Sequence, residues 1–468
     1  MVDTPSLFAT LEQYAAPDVA RALRQIVTHA PDAQLNRINP LRFAAEHGFS
    51  EQDTIATFLH GTRLGLFELG WNLLCRSCAG TLHAGASLRE IDQERYSCSF
   101  CAMDTEPSLD ESIEVTFTVS PRVRKIAAHD PDSLPLWDYT RQIYWSSGMD
   151  LPDGLAPLMG DTVLDAVELP ALRSLRRRVS LPPGTVIVFD PVSHAGQFIE
   201  AGGAPAEQPQ ELAVGLNDAH VQRAPVALHP GPLDLVLENT TAHRALPMVW
   251  VAGKGLLDLV GKRVPFLTAK QLLTHQTFRD IYRTEVLDID QRFKITSLTF
   301  LFTDLKGSTE LYERIGDLAA YDLVRAHFRA LTDIVAAEGG AIVKTIGDAV
   351  MATFAEPRQG LAAALRMRAA MEELNNRIGR NDIMLKIGIH EGACLAVTLN
   401  DRQDYFGQTV NIASRLQNLA DSRSILTTGA VVEDPEAQAL IGEKALHLNH
   451  RRMALRGIQE AMAIYEIG

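Results

Sequence analysis

The stretch "IVKTIGDAVMATF" (342–354) decides the fold of the C-terminal part of this chain. Apolar residues alternate on both sides of a Gly-Asp pair, a pattern typical of a β-hairpin with a tight turn. Two charged residues, Lys344 and Asp348, stand near that turn. Since they are only four residues apart, the simplest interpretation is a local surface ion pair, which contributes about 0–1 kcal/mol.

Regular elements flank this hairpin in an order that predicts one sheet architecture. Before it, "SLTFLFTD" is typical of a buried strand that ends in Asp304, and the loop "LKGST" and helices follow. After it, "GLAAALRMRAAMEEL" predicts an amphipathic helix and "IMLKIGIHEG" a further strand. Strand, helices, hairpin, helix and strand in this order predict an α+β domain of the ferredoxin-like βαββαβ type.

Two carboxylates, Asp304 and Asp348, fall at strand ends of this predicted sheet. Hard divalent cations such as Mg²⁺ bind paired carboxylates together with phosphate oxygens of a substrate. Gly-Asp is also an ordinary hairpin turn, and a single aspartate at a strand end is common. The spacing alone therefore leaves a catalytic metal pair and two turn residues as alternatives.

A second polar group lies in "DYFGQTVNIASRLQNLA", which begins at Asp404. The segment predicts a loop followed by a helix with an apolar face. Asn411 and Arg415 are four residues apart, so they share the opposite helix face and can reach one ligand together. The alternative is that both are ordinary solvent-exposed residues, and the residues alone leave this open.

The segments "FLFTDLKGST", "IVKTIGDAVMATF", "LKIGIHEG" and "DYFGQTVNIASRLQ" together resemble the catalytic domain of class III nucleotidyl cyclases, the adenylyl and guanylyl cyclase family. The resemblance covers about residues 296–468. It implies a head-to-tail homodimer with two active sites, each built from both chains. It also implies two Mg²⁺ or Mn²⁺ ions per site and the conversion of ATP to 3′,5′-cyclic AMP and pyrophosphate.

The resemblance assigns roles to individual positions. Asp304 and Asp348 match the metal-binding aspartates, and the carbonyl of Leu305 matches a further ligand. Lys344 matches the residue that contacts N1 of adenine, and Asp404 the residue that accepts from its 6-amino group. In the implied dimer Lys344 and Asp348 therefore face different active sites.

The remaining matched positions contact the ribose and the phosphates. Asn411 matches the residue that orients the ribose, and Arg415 the residue that stabilises charge on the α-phosphate. The phosphate loop corresponds to Gly307, Ser308 and Thr309, and Arg456 stands where the family has a lysine. Arginine keeps the positive charge but offers a planar fork instead of a point charge.

Base preference follows from the order of donors and acceptors. Adenine presents an acceptor at N1 and a donor at its amino group, which suits a lysine beside a carboxylate. Guanine presents the reverse order, so we predict that ATP is preferred to GTP. The alternatives are a cyclase specific for GTP, CTP or UTP, and a catalytically silent module that only dimerises on a zinc-ribbon binding protein.

Four of the five cysteines form two close pairs, "CRSC" (75–78) and "CSFC" (98–101). Two such pairs close a tetrahedral site, and their separation is near the range of zinc ribbons. We predict one structural Zn²⁺ held by Cys75, Cys78, Cys98 and Cys101. The alternative is four buried thiols.

The order of these patterns predicts five segments. They are a helical lobe (1–70) with a capping box at Ser50 and Asp53, a zinc ribbon (71–108), a β-rich, sandwich-like regulatory domain (109–265), a helical linker (266–295) with a capping box at Thr268 and Gln271, and the cyclase domain (296–468). The upstream part is similar to an uncharacterised domain type found before bacterial class III cyclases. We expect that the N-terminal region controls the cyclase.

Composition narrows the remaining possibilities. The 468 residues carry a net charge of −14, which argues against a nucleic-acid partner over a wide surface. No leader or apolar run long enough for a membrane span is present, so we expect a cytoplasmic protein without a membrane partner. The basic stretch "RSLRRR" (173–178) is either a solvated face or an anion site. Cys394 and His390 are predicted to be a small buried residue and a non-catalytic strand-end histidine.

Overall fold

The computed structural model describes residues 3–217, 224–282, 287–288, 291–306, 313–314, 316–378, 384–399, 402–421, 424–458 and 461–468. The chain divides into two compact units. The first comprises the described parts of Met1–Pro107 and Glu111–Leu267, and the second those of Ser108–Asp110 and Thr268–Gly468. The division into five segments stays a prediction.

The first unit begins with four helices. The side chain of Ser50 accepts a hydrogen bond from the Asp53 amide, so it caps the fourth helix as its sequence predicts. The helices of this unit are α1 (Thr4–Tyr14), α2 (Pro17–His29), α3 (Pro40–His47), α4 (Glu51–Arg63), α5 (Leu136–Tyr139) and α6 (Lys254–Gly261). Short 3₁₀ or π turns occupy Asp32–Leu35, Leu88–Glu90, Ala127–His129, Pro131–Ser133, Thr140–Tyr144 and Ala156–Leu158.

Five short strands follow the helical lobe. They are β1 (Phe67–Leu74), β2 (Thr81–Gly85), β3 (Tyr96–Cys98), β4 (Met103–Thr105) and β5 (Ile113–Val119). An antiparallel sheet has the order β2-β1-β5, and β3 and β4 form a separate hairpin. Each cysteine pair therefore lies beside a strand that fixes its backbone.

Two further sheets complete the first unit. Their strands are β6 (Val163–Ala166), β7 (Ser174–Leu181), β8 (Gly184–Phe189), β9 (Gly196–Ala201), β10 (Gln210–Leu216), β11 (Val226–Leu228), β12 (Gly231–Asn239) and β13 (Met248–Val251). The orders are β10-β12-β7 and β11-β9-β8-β13-β6. Val179 and Leu235 of the first sheet pack in one core with Val188 and Ile199 of the second. This shared core confirms the prediction of a β-rich, sandwich-like region.

The basic stretch lies on β7, and three of its arginines pair with acids of the same unit. The pairs are Arg176 with Glu211, Arg177 with Asp165 and Arg178 with Asp234, at N···O distances of 2.8, 2.7 and 2.7 Å. Their charges are neutralised locally. This pairing favours the interpretation as a solvated face over that as an anion site.

The second unit is built around one large sheet. Its helices are α7 (Ala269–Leu273), α8 (Gln276–Ile281), α9 (Asp317–Ala337), α10 (Pro357–Ile378), α11 (Gln408–Leu419), α12 (Gly429–Val432) and α13 (Pro435–Glu443). Its strands are β14 (Phe293–Leu305), β15 (Ala341–Ile346), β16 (Ala349–Phe354), β17 (Leu385–Leu399), β18 (Arg402–Phe406), β19 (Ile425–Thr428), β20 (Leu448–Met453) and β21 (Met462–Ile467). Thr268 and Gln271 form the predicted capping box at α7.

The strand order of this sheet is β15-β16-β14-β17-β19-β21-β20, and β18 pairs with β17. Each of the first four strands is antiparallel to its neighbours, and their order is that of a ferredoxin-like sheet, so the predicted fold class is confirmed. Strands β19 to β21 extend the sheet beyond the predicted four strands. Ser108–Asp110 also belongs to this unit, and the Leu109 amide donates to the Lys294 carbonyl at 3.1 Å.

Separate cores cover the two faces of the sheet. Leu301 of β14 packs with Leu331 of α9 and Leu361 of α10. Ile412 and Leu416 of α11 belong to a second core with strands β19 and β21. A strand that is buried on both faces carries a continuous apolar run, which explains "FLF" before Asp304.

No helix among the described residues combines the length and the apolar character that a membrane span requires. Cys394 is 6% exposed, and burial raises the pKa of its thiol to about 12. It is therefore the small buried residue that the sequence predicts.

Protonation of His390 on β17 is expected to destabilise the folded state in acid. The ring is 6% exposed, its Nδ1 lies 2.7 Å from the Thr428 hydroxyl, and burial lowers its pKa to about 4. At pH values between about 4 and 6.5, the unfolded chain binds more protons at His390 than the folded state does. The stabilisation is complete above pH 6.5, and up to about 3 kcal/mol is lost as the pH falls toward 4.

Urea unfolding of the wild type and of His390→Gln, followed at pH 7 and pH 5, tests this prediction. We expect the urea midpoint for unfolding of the second unit to shift more between the two pH values in the wild type than in the variant. Equal shifts in the two proteins would contradict the attribution of the acid sensitivity to His390.

Candidate functional site

The two acids predicted to bind metal meet at one end of the large sheet. Asp304 is the penultimate residue of β14, and Asp348 lies in the turn between β15 and β16. Gly347 precedes Asp348 with φ 65°, a value that a two-residue hairpin turn assigns to glycine. Since β14 and β16 are antiparallel with Thr303 opposite Val350, the two acids are brought to the same edge.

The environment of these acids fits a divalent cation. Burial raises the pKa of Asp304, and the negative charge of Asp348 raises it further. Oδ2 of Asp348 is buried and has no hydrogen-bond partner within the described ranges. A half-buried pair of repelling carboxylates, one with a buried oxygen that lacks a partner in the described part of the chain, is a donor set that a hard cation would stabilise. Leu305 ends β14 and directly follows Asp304 in the sequence.

Lys344 does not pair with its hairpin neighbour. Its Nζ contacts Oδ2 of Asp404, which lies on β18 opposite Val397 of β17. The Lys344 side chain is 41% exposed and that of Asp404 10%. A tertiary contact over sixty positions therefore replaces the simple local pair between Lys344 and Asp348.

Helix α11 carries Asn411 and Arg415 and lies directly on β17. A Cβ at Gly388 would come within 2.2 Å of the Gln417 amide nitrogen, so only glycine permits this approach. Asn411 is exposed and Arg415 half-buried. The close packing fixes the helix backbone that carries both residues.

Arg415 is close to the C-terminal segment that contains Arg456. Its Nη2 lies 3.3 Å from the position that a Cβ would take at Gly457. Arg456 itself is exposed. The fold thus brings two predicted phosphate contacts to one region. The predicted phosphate loop, Gly307, Ser308 and Thr309, lies outside the described residues.

Sequence reasoning did not single out His327 on α9. The residue is fully buried, burial lowers its pKa to about 4, and the charge of Asp348 opposes this shift. Its Nδ1 lies 3.4 Å from Sδ of Met371. A lone histidine on the apolar face of a helix was the available signal, and such a residue is usually part of the core.

The four paired cysteines form one cluster in the first unit. All four sulfur atoms lie within 4.8 Å of one another, with Cys75–Cys101 at 3.3 Å and Cys78–Cys98 at 3.6 Å. Four thiolates bound to Zn²⁺ at 2.3 Å would be separated by about 3.8 Å, so the set fits a single ion. Hydrogen bonding by Cys101 holds the pKa of Cys75 below its ordinary value.

The backbone around the cluster is formed in the same way at both pairs. The residue after each pair, Ala79 or Ala102, has a left-handed conformation with φ 58° or 54°. A non-glycine residue in this region costs about 1–3 kcal/mol. Two such residues at equivalent positions show that the two cysteine knuckles share the same local backbone geometry.

Comparisons with known proteins divide the chain at nearly the same place. Residues 1–280 match the family model described as "Family of unknown function (DUF5939)". The chain belongs to the DUF5939 family. Residues 291–467 match the model of the "Adenylate and Guanylate cyclase catalytic domain". The second unit of this DUF5939 protein therefore carries a class III cyclase domain, as the four sequence motifs indicate.

Curated relatives are similar in part of their length. An adenylate cyclase of Anabaena cylindrica is 30% identical over 188 residues, covering 36% of each chain. One of Streptomyces coelicolor is 35% identical over 136 residues, covering 28% of this DUF5939 protein and 32% of the relative. The chain thus spans about a third of the length of these relatives.

Solved cyclase structures are also similar to part of the DUF5939 protein. The adenylyl cyclase CyaB of P. aeruginosa is 24% identical and covers 38% of this chain and 96% of its own, with a TM-score of 0.33. The guanylate cyclase domain of RhGC from Catenaria anguillulae is 20% identical and covers 37% and 97%, also with a TM-score of 0.33.

Removal of the cysteine centre is expected to destabilise the DUF5939 region. Phe100, between Cys98 and Cys101, packs against Trp145 and Trp250 at ring distances of 6.0 and 5.6 Å. Loss of a structural metal lowers the free energy of unfolding by several kcal/mol. Cys98→Ser should therefore lower the melting temperature of the first unit by about 10 °C. Tryptophan fluorescence should change with it.

Metal analysis and fluorescence-detected melting check this expectation. Cys394→Ser is the matched control, because Cys394 is buried but lies in the other unit. We expect one zinc per chain in the wild type and the control, and none in Cys98→Ser. Full zinc content in Cys98→Ser would contradict the prediction.

Proposed function

We propose that this protein is an adenylyl cyclase that converts ATP to 3′,5′-cyclic AMP and pyrophosphate. The observation that carries the substrate is the contact between Lys344 Nζ and Asp404 Oδ2. It presents a cationic donor beside an anionic acceptor. The edge of adenine presents the complementary order, an acceptor at N1 beside a donor at the 6-amino group.

This arrangement supports discrimination against guanine. Guanine would set its O6 acceptor against the Asp404 carboxylate, whose side chain is only 10% exposed. A buried acceptor that faces another acceptor loses both its hydrogen bond and its water. Mismatched groups of this kind discriminate by about 10⁴-fold in favourable sites.

The other matched residues would act on the ribose and phosphates. Divalent cations bound at Asp304 and Asp348 would supply Lewis acidity for attack of the ribose 3′-hydroxyl on the α-phosphorus and for departure of pyrophosphate. Asn411 would orient the ribose. Arg415 would hold the negative charge that develops at the α-phosphate, from a helix that is already packed against β17. Arg456 would bind the departing phosphates.

We further propose that two copies of the chain complete each active site. Large apolar side chains flank the site residues: Ile346, between Lys344 and Asp348, is 56% exposed, and Phe406, two residues after Asp404, is 67% exposed. A second copy of the chain would remove these side chains from water. In such a dimer each active site would combine the metal-binding acids of one chain with the base-reading pair, Lys344 and Asp404, of the other.

Product analysis of the purified full-length protein tests the function. ATP, GTP, CTP and UTP are each supplied with Mg²⁺ or Mn²⁺, and the products are separated by chromatography. We expect cyclic AMP to be the main product. No cyclic nucleotide from any of the four substrates would refute the proposal and leave the silent dimerising module as the explanation.

Reversing the base-reading pair tests specificity separately. In Lys344→Asp/Asp404→Lys the donor and the acceptor trade places, so kcat/KM for ATP should fall by at least about 100-fold relative to that for GTP. Affinity for Mn²⁺ should stay unchanged, because Asp304 and Asp348 are intact. An unchanged ATP preference would favour a cyclase whose base specificity is set elsewhere.

We also propose that the DUF5939 region controls the cyclase domain. The family model for this region ends at residue 280, whereas the second compact unit begins at Thr268. The last residues of the DUF5939 match thus belong structurally to the unit that carries the cyclase domain. This overlap supports a direct connection between the two.

A further inference from the structure

Helix α8 (Gln276–Ile281) is the last element that the DUF5939 match covers, and it packs within the catalytic unit. Its side chains contact the two strands that carry the base-reading pair. The pair consists of Lys344 on β15 and Asp404 on β18. These strands are not neighbours in the sheet, so the geometry of the pair depends on what joins them.

Arg279 joins the two strands through their backbones. Its Nη2 donates to the Gln403 carbonyl at 2.9 Å and lies 3.4 Å from the Val343 carbonyl. Gln403 directly precedes Asp404, and Val343 directly precedes Lys344. One guanidinium group therefore holds the peptide that leads into each member of the pair.

Gln276, one turn earlier on the same helix, fixes an irregularity in β15. Its Oε1 accepts from the Ile342 amide at 2.8 Å, and its Nε2 donates to Asp280 at 3.0 Å. The pairing of β15 with β16 shifts register between Ile342 and Lys344. A bulge of this kind re-aims the following side chain, so Gln276 stabilises the direction that Lys344 takes.

We propose that Arg279 is a positioning residue for base recognition, and that helix α8 transmits the state of the DUF5939 region to the base-reading pair. The inference rests on the proposed adenylyl cyclase function and names its route of control. Movement of the helix would separate Lys344 from Asp404 without touching the metal-binding acids. Control would then appear as a change in substrate affinity and base selectivity.

Steady-state kinetics of full-length variants with ATP and GTP test this inference. Arg279→Ala should lower kcat/KM for ATP by about 10- to 100-fold, mainly through KM, as for other residues that orient a contacting group. The ratio of ATP to GTP activity should fall as well. Arg279→Lys should recover part of the loss, because lysine keeps one charged donor but not the fork.

Two controls separate positioning from general destabilisation. Arg366→Ala removes an arginine of the same unit that pairs with the Glu338 side chain, and its kinetics should match the wild type. Arg279→Ala added to Lys344→Ala should cause little further loss, because Arg279 acts through the pair. Thermal melting shows whether each variant is folded.

The outcomes distinguish this inference from the function on which it rests. A wild type that cyclises no nucleotide overturns the proposed function. An active wild type with Arg279→Ala kinetics like those of Arg366→Ala overturns only the role of Arg279. An equal loss of kcat with ATP and GTP, or full additivity with Lys344→Ala, would also overturn it.

Discussion

Asp348→Ala is expected to lower kcat for cyclic AMP formation by about 10³-fold, because loss of a metal ligand removes several kcal/mol of charge stabilisation. Binding of Mn²⁺, measured by calorimetry, should weaken in parallel. The folded state should not suffer, since Oδ2 of Asp348 is buried without a hydrogen-bond partner in the described part of the chain. Removing it also relieves the repulsion that raises the pKa of Asp304.

Asp333→Ala is the matched control for this variant. Asp333 is exposed on helix α9 of the same unit, so its loss should change neither kcat nor Mn²⁺ binding. A melting temperature of Asp348→Ala equal to or above that of the wild type would support repulsion between Asp304 and Asp348 in the folded state. Full activity of Asp348→Ala would contradict its assignment as a metal ligand.

Mixing two inactive variants tests how the sites are shared. Lys344→Ala would lack the proposed base contact, and Asp348→Ala the proposed metal ligand. If each site takes its acids from one chain and its base-reading pair from the other, a random mixture should regain about a quarter of the wild-type activity. A site contained within one chain would give no recovery.

Arg415→Ala is the second substitution with a large expected effect. A fixed cation at the developing charge is worth about 10²- to 10³-fold in kcat, and KM should change little. The helix of Arg415 packs against Gly388 so closely that a side chain would not fit there. The backbone that carries Arg415 is therefore in place before substrate arrives.

Steady-state kinetics with two further variants check this expectation. Arg415→Lys keeps the charge without the planar fork, so it should recover part of the loss. Asn418→Ala, an exposed residue on the same helix, should leave kcat unchanged. A rise in KM with unchanged kcat for Arg415→Ala would instead assign Arg415 to ground-state binding.

Several elements followed directly from local patterns. The hairpin around Gly347, the caps at Ser50 and Thr268, and the buried strand β14 depend on turn chemistry and periodicity, which a short window contains. The paired cysteines were recognised because knuckle spacing is a local constraint. Strands β20 and β21 were not predicted, because an edge strand such as β20 is largely exposed and carries little apolar alternation.

The amino-acid sequence by itself determined the ferredoxin-like core, the cysteine cluster and the identity of the polar residues at the candidate site. The resemblance already assigned Lys344 and Asp404 to one base, and the tertiary structure added the contact between them and the residues that hold it. Lys344 pairs with Asp404 and not with Asp348, and Arg279 holds both strands of that pair. Local periodicity fixes the face on which a side chain lies, but a contact between distant residues depends on strand order, a bulge and the packing of a helix on glycine.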